Sequence, residues 1–84
     1  MMPAILTFRA SRSSCLLEVL HFLKEVRGPV TTVEVTLSNP AGGSRQRRKW
    51  LVGSRDIRDL AAEVVMYIKE RATLWGRVDA IVVA

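Results

Sequence analysis

The chain has little of what staples, ligates or interrupts a fold: one cysteine, one histidine, three prolines and five glycines in 84 residues. Cys15 has no internal disulfide partner, and with His21 alone beside it the four-ligand set of a zinc finger or knuckle is excluded. So few prolines and glycines exclude a flexible linker or a fibrous repeat, and no internal repeat or low-complexity stretch is present. The longest uncharged apolar runs, residues 3–8 and 80–84, fall far short of the ~20 residues a membrane-spanning helix needs. What is there is a hydrophobic share of 49% with 25% charge, enough for one compact domain over residues 1–84 and not for a second core.

Charge is one-sided. Thirteen Lys and Arg against eight Asp and Glu leave +5, and the excess is concentrated. Arg45, Arg47, Arg48 and Lys49 lie within five residues, with no acid between Glu34 and Asp56. Such a run suits phosphate, an acidic protein face or an anionic membrane, and equally a solvated loop. Residues 1–17 hold Arg9 and Arg12 with no acid before Glu18, a composition transit peptides share. Yet Ile5, Leu6 and Phe8 read as a strand, Arg9 interrupts the apolar run, and no small-residue cleavage site closes it. The expectation is a cytoplasmic protein that keeps its N-terminus and does not engage membrane.

Periodicity places six elements. Ala4–Ala10 alternates with period two, Leu6 and Phe8 on one side and Ile5, Thr7 and Arg9 on the other. Ser13 or Ser14 can cap a helix in which Leu16, Val19, Leu20, Leu23 and Val26 recur at helical spacing until Gly28-Pro29 stops it. Val30–Leu37 alternates again, Val33, Val35 and Leu37 against Thr32, Glu34 and Thr36. A turn over residues 38–44 then leads to a third strand over Arg47–Gly53. Ser54 is the expected cap of a second helix with the stripe Ile57, Leu60, Ala61, Val64, Val65 and Ile68, ending at Gly76. Val78–Val83 closes the chain as an apolar strand.

The order β-α-β-β-α-β is the ferredoxin-like α+β plan, a four-stranded antiparallel sheet with two helices on one face. In that plan the first and third strands are central, which makes Phe8 and Trp50 the candidates for base stacking beside the basic run. Phe8, however, shares its side with Leu6 and should point at the helices. The opposite sheet face should show Thr7, Arg9, Thr32, Glu34 and Thr36, with Ile81 or Val83.

No catalytic constellation is legible. Cys15 and His21, six residues apart on a helix, point to different sides. Glu34-Val35-Thr36 has threonine where a metal-dependent nuclease strand carries lysine, and no second carboxylate precedes it nearby. Gly42-Gly43-Ser44 is not followed by the Lys-Ser or Lys-Thr of a phosphate-binding loop.

Residues 6–20, from the strand through Ser11, Arg12, Ser13 and Ser14 into the helix, resemble the first strand, ligand loop and helix of ACT-type regulatory domains. Cys15-Leu16-Leu17-Glu18-Val19 is similar to that family's Gly-Leu-Leu opening, and residues 30–35 resemble its second strand. Small regulatory subunits of acetohydroxyacid synthase are similar in length and in how they open. The resemblance implies a ligand loop at Ser11, Arg12, Ser13 and Ser14 in a module that pairs with itself or with a larger protein.

Together these readings give a non-enzymatic regulatory or assembly module without metal or cofactor. Its expected partners are a second copy of the chain or a larger protein. The alternative is a nucleic-acid-binding protein that uses Arg45, Arg47, Arg48 and Lys49 as a basic hairpin loop.

Overall fold

The computed structural model describes residues 3–11, 15–26 and 29–84. Six elements follow in the expected order: β1 (Ile5–Ala10), α1 (Leu16–Glu25), β2 (Thr32–Ser38), β3 (Arg45–Leu51), α2 (Ile57–Trp75) and β4 (Val78–Val83). The strands form one antiparallel sheet, and both helices contribute to the core on one face of it, a ferredoxin-like α+β arrangement. No helix among the described residues is long and apolar enough to cross a membrane.

The strand order is β1-β4-β2-β3, so the interior strands are β4 and β2. The expectation that the first and third would be central is corrected, and the residues explain why. β4 carries one charge, Asp79, and buries Val78, Ala80 and Val82 completely or nearly so. β3 carries Arg45, Arg47, Arg48 and Lys49, which an edge strand can keep in water and an interior one cannot. Across the interior pair, Val35 lies opposite Val82 and Leu37 opposite Ala80, all four buried beneath the helices.

The hairpin is tighter than the turn read from the sequence. Asn39 N–H donates to Ser44 O at 2.8 Å, and Gly43 N–H donates to Asn39 O at 3.1 Å. The Asn39 side chain accepts from Ala41 N–H at 3.0 Å, a local turn that asparagine favours. Gly43 sits at φ 73°, where a side chain would be strained. This closure brings Arg45 opposite Ser38, so the third strand begins at Arg45 and not at Arg47. The basic run is strand, not loop.

The helix caps also differ. α1 begins after Cys15, which makes no side-chain cap, while the expected caps Ser13 and Ser14 lie outside the described residues. Val19 and Leu23 carry the α1 face into the core, whereas Leu16, expected in that stripe, is left at the surface. α2 is capped by Asp56, not Ser54: its carboxylate accepts from Arg58 N–H at 2.7 Å. A charged cap at the positive helix end is stronger than a hydroxyl one. Of the expected α2 stripe, Leu60, Ala61, Val64, Val65 and Ile68 are buried and Ala72 joins them, while Ile57 in the first turn is only partly buried. Gly76 ends the helix at φ 82°.

Leu37, fully buried on β2, should on replacement by alanine cost about 3 kcal/mol of unfolding free energy in a denaturant titration. Asp56→Ala should cost about 1 kcal/mol. A loss at Leu37 no larger than at Asp56 would mean that the inner face of β2 is not sealed.

Candidate functional site

The helices cover one sheet face and leave the other open. In the register of the sheet the open face has three full rows: Ile5, Val83, Glu34 and Lys49; Thr7, Ile81, Thr36 and Arg47; Arg9, Asp79, Ser38 and Arg45. Thr32 opposite Leu51 extends it at one end. Of its apolar members, Ile5, Ile81 and Leu51 are exposed, Leu51 at 75%, and Val83 is half-buried. Two ion pairs cross it, Arg9 with Asp79 at 3.1 Å and Arg47 with Glu34 at 3.6 Å. Both are solvent-exposed, and exposed pairs of this kind contribute little stability.

Strand geometry divides the basic run. Arg45, Arg47 and Lys49 alternate onto the open face, while Arg48 turns to the helix side. There its guanidinium lies 4.9 Å from the centre of the Trp50 ring and 5.7 Å from that of Tyr67. Trp50 is buried and meets Tyr67 edge-to-face at 5.7 Å. Its indole N–H is buried with no hydrogen-bond partner among the described residues. Phe8, half-buried, also packs against the core. Both stacking candidates therefore serve the helix layer. Arg48 is held by aromatic rings, so the run offers three cations, not four, to a partner on the open face.

Backbone direction distinguishes the two edges. The Asn39–Ser44 bond and the bond from Val52 N–H to Thr31 O (3.0 Å) close the β2–β3 ladder at its ends. Antiparallel partners alternate between bonded and non-bonded pairs, so Gln46, Arg48 and Trp50 turn their backbone groups toward β2. Arg45, Arg47, Lys49 and Leu51 turn theirs outward. On β1, reciprocal bonds between Ala4 and Ala84 (3.2 and 3.0 Å) set the same alternation, leaving Ile5, Thr7 and Arg9 facing out. Each edge thus presents unpaired N–H and C=O groups on the same residues whose side chains stand on the open face. One edge is a row of cations; the other is neutral except for Arg9, which Asp79 already pairs.

The remaining candidates are dispersed. Ser11 is exposed just beyond β1, and Arg12, Ser13 and Ser14 of the expected ligand loop lie outside the described residues. Beside the start of α1, Leu16, Ala62, Val65, Met66, Lys69 and Glu70 line a groove of about 450 Å³. His21 is exposed and Cys15 buried, and no metal-binding group of three or more acidic, His or Cys side chains exists among the described residues. Burial first, then the Glu18 carboxylate, push the Cys15 thiol above its ordinary value, although a helix start favours thiolate. Desolvation outweighs the dipole, and the thiol stays neutral.

Sequence periodicity placed Thr7, Arg9, Thr32, Glu34 and Thr36 on the open face correctly, but it left Arg45, Arg47 and Lys49 in a loop and could not show which strands end the sheet. The roles of Thr7, Ile5 and Leu51 as edge residues were missed for that reason. Compared with known proteins, the chain matches no family model, no curated protein and no solved structure.

Two measurements check this geometry. In a Trp75→Phe variant, Trp50 should be poorly quenched by acrylamide and unchanged by single-stranded RNA; strong quenching would put its ring in solvent. Cys15 should react with iodoacetamide at neutral pH more than about tenfold slower than in the unfolded chain. Because the folded state holds the thiol proton more tightly, this contribution is complete below the ordinary thiol range. Stability should then decline as pH rises through that range, and a flat alkaline profile would contradict the burial.

Proposed function

We propose that the chain is a non-enzymatic assembly module acting through protein–protein association, and that its first partner is a second copy joined edge to edge through β1. The observation that carries this reading is the contrast between the two edges. An antiparallel pairing of two β3 edges would set Arg45 against Lys49 and Arg47 against Arg47 across the dyad, like charges directly opposed. β1 carries no such row, its one charge, Arg9, being paired with Asp79, and an edge not guarded by charge is the kind that pairs.

β1 is also self-complementary. With Thr7 on the two-fold axis, Thr7 meets its mate and Ile5 meets Arg9 of the second copy, their outward N–H and C=O groups forming bonded pairs. Leu6 and Phe8, both half-buried, would stand opposite each other on the helix side and cover their remaining exposed surface. The two sheets would become one of eight strands. An edge of six residues buries less than a standard interface, so the association is weak and concentration-dependent.

The nucleic-acid reading has less support: Arg48 is stacked on Trp50 and Tyr67, Arg47 is shared with Glu34, and Trp50 and Phe8 face the core.

Sedimentation velocity across a concentration series should show a monomer–dimer equilibrium with Kd on the order of 10–100 μM. Thr7→Lys, which sets two ammonium groups against each other on the axis, should shift it to monomer without altering the circular dichroism spectrum. A monomer at all concentrations up to about 1 mM, or an unchanged dimer in Thr7→Lys, would sink the proposal.

A further inference from the structure

The charged edge has a partner chemistry of its own, independent of what β1 does. We infer that β3 is a docking edge for an extended acidic segment of another protein, which adds to the sheet as a fifth strand.

Three observations meet on β3. Its outward backbone groups belong to Arg45, Arg47, Lys49 and Leu51, four residues whose side chains all stand on the open face. Of the three cations, only Arg47 has an acidic neighbour, Glu34; Arg45 and Lys49 have none within ion-pair distance among the described residues. Leu51 follows the cations in the same alternation and is exposed at 75%. Alternating free backbone groups, unneutralised positive charge and one apolar position therefore form a single line.

That line specifies its complement. A strand added at this edge makes bonded pairs with Arg45, Arg47, Lys49 and Leu51, and its paired side chains fall on the open face directly beside theirs. Opposite-charge pairs across strands are favourable, and β-strand addition draws affinity from main-chain bonds and selectivity from alternate side chains. Every other pairing in this sheet is antiparallel, and antiparallel pairing is the more stable. The expected segment thus reads apolar, any, acidic, any, acidic, any, acidic: the apolar residue opposite Leu51 and the acids opposite Lys49, Arg47 and Arg45 in turn. The same cations that keep two β3 edges apart select this partner, a repulsive and an attractive element in one row.

A nucleic acid is the competing polyanion, and the backbone argues against it. Phosphates can accept from the outward N–H groups but offer nothing to the outward C=O groups, which a peptide strand satisfies. The aromatic rings that could stack on bases, Trp50 and Phe8, are turned to the core.

The probe is a fluorescein-labelled peptide, Val-Thr-Glu-Thr-Glu-Thr-Glu, acetylated and amidated, titrated against the whole chain by anisotropy at low salt. Hydrogen exchange followed by NMR is read alongside. The expected result is saturable binding, with the amides of Arg45, Arg47, Lys49 and Leu51 exchanging fast in the free protein and slowed on binding. The amides of Gln46, Arg48 and Trp50 are protected throughout. Methylating the backbone nitrogens of the three Glu residues keeps every charge, removes the donors and should weaken binding by about tenfold or more. R45E/K49E should lose the acidic peptide and gain the Lys-for-Glu version, with circular dichroism showing the fold retained. Equal affinity for the methylated peptide, or binding without protection of those four amides, would overturn strand addition. So would an oligonucleotide of equal charge that competes better than the peptide. No binding of the acidic peptide at low salt would overturn it outright, whether or not the chain dimerises through β1.

Discussion

The fold depends on the pairing of β2 with β4, the two strands that are not neighbours in sequence and that form the middle of the sheet. Val33, Val35 and Leu37 on one and Val78, Ala80 and Val82 on the other make a continuous apolar surface beneath the helices, with Leu37 opposite the small Ala80. Both helices need that surface, since Val19 and Leu23 of α1 and the Leu60 to Ala72 stripe of α2 have nothing else broad enough to cover. A shift by one residue would turn either strand's apolar set into water, so the alternation enforces the pairing.

Placing the last strand between the first and second has a consequence for function. The sheet is completed only when residues 78–83 return to the middle, which leaves β1 and β3 as the outer strands. Their residues then acquire meanings they would not have in the interior. Arg45, Arg47 and Lys49 protect an edge that would otherwise pair indiscriminately, while Ile5 and Thr7 leave the opposite edge unguarded. On the reading proposed above, the neutral strip joins like to like and the cationic edge takes an unlike partner.

Among the described residues, the cysteine and the tryptophans are taken up by packing and the histidine is exposed. Cys15 is a neutral thiol at the start of α1, and His21 stands exposed on the same helix. Trp50 and Tyr67 are a packing pair that anchors Arg48, and Trp75 closes the end of α2 with the Arg71 guanidinium 5.3 Å from its ring centre. What the surface offers instead is hydrogen-bonding backbone and charge arranged with the period of a strand.

Much of this was legible in the residues. Period-two alternation in 4–10 and 30–37, the apolar run 78–83 and the apolar stripes of the helices give the elements, their order and the face of most side chains, because these depend only on local geometry and on keeping apolar groups from water. The same alternation turned Phe8 inward. Strand order was not legible, because many orders satisfy the same alternation and only the packing of all six elements selects one. Nor was the nature of residues 45–49: charge reads as loop until Val33, Val35 and Leu37 require a partner strand and the tight turn at Asn39–Ser44 delivers it. Local alternation tells, for most side chains, which face water; which of them lie on an edge follows only from the packing of all six elements, since an edge exists only once every other strand has found its neighbour.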